Sequence, residues 1–170
     1  STLGSVLRFD GEEADRFNLP NGAAANFILP DVGQRVWVAT ATGVVRLDPE
    51  VARNSPDRIS AVNVLPEGAI LGMASDPDGR RLYVSCESGL HVLRVGGAVP
   101  YAVEAVHTNL PPGELKREAA GTLWMAAVTG EMGVLLPAGD GSSALTFSPR
   151  SDGLPQGRRF RFQQADRPRL

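Results

Sequence analysis

One four-residue word recurs through the 170-residue chain. Leu19-Pro20-Asn21-Gly22 returns as Leu65-Pro66-Glu67-Gly68, as Leu110-Pro111-Pro112-Gly113 and as Leu154-Pro155-Gln156-Gly157, at offsets of 46, 45 and 44 residues. Proline fixes φ and glycine reaches the left-handed region, so each copy is expected to turn the chain sharply. Punctuation at a near-constant period calls for repeated supersecondary units, each burying its faces against its neighbours.

A second landmark follows each turn. Val36-Trp37-Val38-Ala39-Thr40 leads to Gly43-Val44-Val45-Arg46-Leu47, and Leu82-Tyr83-Val84-Ser85-Cys86 leads to Gly89-Leu90-His91-Val92-Leu93. In the third copy Leu123-Trp124-Met125-Ala126-Ala127 leads to Gly133-Val134-Leu135-Leu136. That copy is shorter before Trp124 and longer after it, which reads as an insertion at 129–132 with a compensating deletion. At the N-terminus Gly4 to Phe9 matches the strand that follows the glycine. At the C-terminus Arg158 to Phe162 matches the strand that follows the turn. Both ends therefore fall in mid-repeat. With Ser1 in place of Met, the chain is expected to be a processed or excised piece.

Each period reads as four short strands. The first follows the turn, as in Ala25–Leu29 and Ile70–Ala74. The second carries Trp37, Tyr83 or Trp124. The third follows the glycine. The fourth runs before the next turn, as in 58–64, Tyr101–Val106 and Ala144–Phe147. Val, Ile, Phe and Tyr recur in them, as half-buried pleated surfaces prefer. With 19 glycines and 13 prolines, no window keeps a helical period. Four strands in about 45 residues is the size of a β-propeller blade. The expected fold is all-β: residues 1–170 as one β-propeller domain or fragment of about four blades of antiparallel strands. A closed four-bladed ring and an open arc both fit. Open blade edges would invite self-association.

A formal net charge of -2 argues against nucleic acid and anionic membrane, which reward a basic face. No run of about 18 apolar residues is present, so no membrane insertion is expected in this segment. Cys86 is the single cysteine and has no intrachain partner.

With these residues in view, a family resemblance emerges. Asp152-Gly153-Leu154-Pro155 is similar to the two-component regulator propeller repeat. So are Asp31-x-x-Gln34-x-Val36-Trp37-Val38-Ala39-Thr40-x-x-Gly43-Val44 and Asp48-Pro49. That repeat reads Gly-Leu-Pro, then Asp-x-x-Gly-x-Leu-Trp-Ile-Gly-Thr, then Gly-Leu and a closing Pro. Tyr83 departs from it at the tryptophan position. Asp76-Pro77-Asp78-Gly79-Arg80-Arg81-Leu82-Tyr83-Val84-Ser85 also resembles YVTN-type propeller repeats. The first resemblance implies a periplasmic or extracellular location, in the sensor region of a bacterial histidine kinase or diguanylate cyclase.

No catalytic constellation is expected. His91 and His107 occupy different places in their repeats and do not make a zinc site, which needs three or four convergent ligands. Cys86 stands where Thr40 and Ala127 stand, so a small, partly buried side chain explains it. Asp76 to Gly79 lacks the ligand spacing of a calcium loop and reads as a turn. Phe160 and Phe162 alternate with arginines as in a half-buried strand. Trp37, Tyr83 and Trp124 are expected to fill one layer between blades. No nucleophile elbow, phosphate loop or dinucleotide fingerprint occurs.

The expected function is therefore a ligand-binding or interaction module with no cofactor and no metal. Its partner would be a small molecule, a protein or a peptide. The candidate mouth loops join second to third strands: Thr40 and Thr42; Cys86, Glu87 and Ser88; Thr129 and Glu131. Turns near Asp31, Asp78 and Gly121 are the alternative mouth. A fragment of a propeller enzyme, such as a lactonase-like hydrolase or lyase, and a structural platform are the competing readings.

Overall fold

The computed structural model describes residues 4–9, 11–51, 58–62, 69–96, 101–137 and 144–150. The turns at 65–68 and 154–157, and Phe160 and Phe162, lie outside them. The described residues form four antiparallel sheets. The first pairs β1 (Ser5–Phe9) with β2 (Ala14–Asn18). The second holds β3 (Ala25–Pro30), β4 (Val36–Thr40), β5 (Gly43–Leu47) and β6 (Ile59–Val62). The third holds β7 (Ile70–Ser75), β8 (Arg81–Cys86), β9 (Gly89–Arg94) and β10 (Ala102–His107). The fourth holds β11 (Gly113–Arg117), β12 (Leu123–Ala127), β13 (Met132–Pro137) and β14 (Leu145–Pro149). Each four-stranded sheet is a meander in sequence order. The four-strand reading of each period thus holds for three repeats, with boundaries moved by one or two residues.

The second strands explain how the sheets stack. Along β4, Trp37 and Ala39 join one buried cluster, while Val36 and Val38 join another. Along β8, Leu82 and Val84 face the sheet of Trp37, and Tyr83 faces the sheet of Leu115 and Met125. Successive side chains of a strand point to opposite faces. A strand apolar at every position therefore buries both faces and must lie between two other sheets. Three clusters result, each joining two consecutive sheets.

Trp37 and Tyr83 fill the inter-sheet layer as expected. Trp124 does not reach the same burial: it is only partly covered, and its Nε1 has no hydrogen-bond partner.

The recurring turn proves less uniform than its letters. Leu19-Pro20-Asn21-Gly22 forms a 3-10 turn with Asn21 and Gly22 at positive φ, 54° and 65°. Gly113, by contrast, is already the first residue of β11, and a Cβ on it would collide with the Ala126 carbonyl. What the two described copies share is the leucine, buried in both. The third-copy deletion lies here as well. β3 and β7 carry register shifts after Ala25 and Ile70, and β11 pairs with β12 without one.

The first strands of consecutive sheets meet: β7 lies against both β3 and β11. The approach to β11 is close enough to require glycine. A Cβ on Gly72 would stand 2.5 Å from the Leu115 backbone nitrogen.

Candidate functional site

The predicted mouth residues fall on three hairpins at one end of the stacked sheets. Thr40 and Thr42 flank the β4–β5 turn, Cys86, Glu87 and Ser88 the β8–β9 turn, and Thr129 and Glu131 the β12–β13 turn. The shared end is fixed by the Gly113 amide at the start of β11, which donates to Ser85 Oγ near the end of β8 at 2.9 Å. The structure brings each set together within its own hairpin. Thr40 Oγ1 donates to the Gly43 carbonyl at 2.9 Å and lies 3.3 Å from Thr42 Oγ1. Cys86 Sγ repeats this with the Gly89 carbonyl at 3.2 Å and Ser88 Oγ at 3.3 Å. Thr129 Oγ1 donates to Glu131 at 3.1 Å. Ala127 has no side-chain donor, and its loop is two residues longer, closed by the Ala127 amide on the Glu131 carbonyl at 2.7 Å.

Ser88 Oγ lies 3.3 Å from His91 Nε2. Burial holds the His91 imidazole below its usual pKa. The pair has the members of a nucleophile and base, but neither lines either of the two clefts described below. No group of three or more His, Cys, Asp or Glu that could hold a metal ion occurs among the described residues.

The alternative turns lie at the opposite end and are densely charged. Asp31 Oδ2 accepts from Trp37 Nε1 at 2.8 Å and pairs with Arg35 at 3.1 Å. Arg35 also reaches the Gly79 carbonyl of the next sheet at 3.2 Å. Asp76 repeats the role of Asp31. It pairs with Arg117 of the following sheet at 2.9 Å, while Arg117 covers the Tyr83 ring with its guanidinium 5.0 Å from the centroid. Burial first, and the Asp76 charge second, raise the Tyr83 phenol above its usual pKa. These arginines tie sheet to sheet around the buried aromatics.

Two clefts open toward this region. One, of about 500 Å³, runs along the three first strands. Phe27 to Pro30 of β3, Met73 to Ser75 of β7 and Glu114 to Arg117 of β11 line it. Its lining is mixed, with Ser75, Glu114, Lys116 and Arg117 as polar groups. The other, of about 470 Å³, is lined by Asp76, Asp78, Arg80, Arg81, Arg94, Gly96 and Glu104. Glu104 takes both donors of Arg81, at 2.7 and 2.8 Å. That pairing holds the Glu104 carboxyl below, and the Arg81 guanidinium above, its ordinary pKa.

Sequence reasoning reached Asp76 and Asp78 of the second cleft only as a turn and an alternative mouth, and singled out neither its arginines nor the first cleft. For the first, the signal was the alignment of the three first strands. For the second, it was hairpin register: a two-residue loop at Glu87-Ser88 sets Arg81 opposite Arg94.

No helix among the described residues is long and apolar enough to cross a membrane. No family model matches the chain, and no curated protein does. Among solved structures it is similar to the extracellular domain of BT3049 from B. thetaiotaomicron, described as a hybrid two-component system. The TM-score is 0.52, with 14% identity over 80% of this chain and 21% of that one. The chain thus spans about a fifth of that structure, and the likeness is one of fold.

Proposed function

We propose that the chain is a run of β-propeller blades acting as a non-catalytic binding module, in the extracytoplasmic sensor region of a bacterial histidine kinase or diguanylate cyclase. One observation carries this reading: consecutive four-stranded meanders stack by their faces, with their first strands side by side along a cleft. Propeller blades meet in that manner around a channel. The fold likeness to an extracellular two-component domain supports the compartment and the signalling role. So does the resemblance of the repeats.

The ligand is a small molecule or peptide lying along the first strands, against the exposed Ile28 and oriented by Ser75, Glu114 and Lys116. It biases one arrangement of the sheets over another and thereby an output domain. Reading the native coding DNA on both sides of this segment tests the proposal. Further Leu-Pro-x-Gly repeats, a membrane span and a kinase or cyclase domain would support it. An open reading frame without any signalling output would overturn it.

Self-association belongs to the same reading. The β1–β2 sheet leaves Leu7 and Phe9 exposed at 54% and 72% on the face away from β3–β6. Sedimentation should show a mass above the monomer that falls in the Leu7→Lys, Phe9→Lys double variant. A strict monomer would remove this element.

A further inference from the structure

The charged cleft at the end of β8 and β9 contains an arrangement that works against folding. Arg81 and Arg94 are direct partners in the β8–β9 ladder. Like charges opposite one another across strands destabilise a sheet. Glu104 on β10 is the carboxylate that faces both, and Arg81 takes both of its oxygens, leaving Arg94 at 3.8 Å. Arg80 adds a third guanidinium to the same cleft, its stem packed over Gly96 and its Nε 3.6 Å from Asp78. Asp76, the remaining acid, is engaged by Arg117 at 2.9 Å. Arg80 and Arg94 are left 80% and 68% exposed, each guanidinium in ion-pair range of one carboxylate but not hydrogen-bonded to it, although the Arg80 backbone amide donates to Asp78 at 3.0 Å.

Glu104 offsets this clash only in part, since it is committed to Arg81, and a local rule broken in this way points to a functional place. Guanidinium forks match the geometry of carboxylate and phosphate oxygens. We propose that this cleft is a binding site for a small organic oxyanion, a carboxylate or phosphate ester, gripped by Arg80 and Arg94 above the Arg81–Glu104 pair. The site is separate from the first-strand cleft and does not depend on the sensor reading. Glu104 and Asp78 line the far side, so an anion that also carries hydroxyl or ammonium donors fits it better than a bare ion.

Isothermal titration of the 170-residue chain with citrate and with inorganic phosphate tests this. The expected result is binding of one or both with millimolar affinity or better, weakened by added salt. Citrate alone would identify a carboxylate site, phosphate alone a phosphate site, and both a general oxyanion site. Arg80→Ala and Arg94→Ala should each weaken binding about tenfold, as loss of a charge-assisted hydrogen bond does. Arg150→Ala, an exposed arginine elsewhere, should leave it unchanged. Arg94→Ala should also raise the melting temperature in anion-free buffer, because it relieves the repulsion with Arg81. No binding up to about 10 mM of either anion would overturn the proposal. So would undiminished affinity in both arginine variants, or a lowered melting temperature in Arg94→Ala.

Discussion

Thr40 and Cys86 perform one task with different atoms. Each is buried at the end of a second strand and donates to the carbonyl three residues on, closing a two-residue hairpin. Thr40→Ala should cost about 1 kcal/mol, the net worth of an ordinary internal hydrogen bond. Urea denaturation reads this as a lowered midpoint with unchanged slope. An unchanged midpoint would mean that the clasp contributes nothing. His91 gives a second residue-scale expectation. Burial lowers its folded pKa below the unfolded value, so protons bind the unfolded chain more readily. The stability tied to His91 is then complete above about pH 6.5 and is lost as the pH falls below it. His91→Gln should flatten the stability profile between about pH 5 and 7. A wild-type profile already flat there would refute the point. The equivalence of Thr40, Cys86 and Ala127 was legible from spacing alone. The Arg46 side chain on the Tyr101 hydroxyl was not, because it joins residues of two different repeats.

Strands were easier to read than connections. A run such as Leu82 to Cys86 is apolar or small at every position, and burial on both faces demands that. The fourth strands are poorer, with β10 carrying exposed Ala102, Val103 and Val106, and their limits were correspondingly blurred. The turn motif misled in one respect. Its glycine serves a positive φ at Gly22 but a close backbone approach at Gly113. Neither cleft was legible, because each gathers residues across strands or sheets whose juxtaposition depends on register. One such juxtaposition sets backbone against backbone, Gly72 on Leu115. Gly72→Ala needs the β7 and β11 backbones to separate, at a cost of roughly 1–3 kcal/mol for overpacking. Thermal unfolding monitored by circular dichroism would show this. A wild-type melting temperature in Gly72→Ala would mean that the first strands are not held in contact.

At the scale of the whole molecule, the buried clusters set how stability is distributed. Each cluster joins only two consecutive sheets, so the described residues behave as a nearly one-dimensional stack. The β7–β10 sheet is covered on both sides, by the cluster of Trp37 and that of Leu115. The β1–β2 sheet is covered on one side, through Val6 and Phe17. In such a stack, local opening follows the number of covered faces rather than global unfolding. Amide hydrogen exchange should therefore be slowest in β8 and fastest in β1. Val84, fully buried between β4 and β8, provides the sharper test. Val84→Ala removes two methyl groups from that cluster, and the loss should be about 2 kcal/mol. It should speed exchange in β4 and β8 while leaving β1 unaltered, since β1 already opens by a cheaper local route. Equal acceleration in every strand would instead show that the sheets open only together. The stack would then be one cooperative unit, and a ligand bound at one cleft would be felt at every sheet.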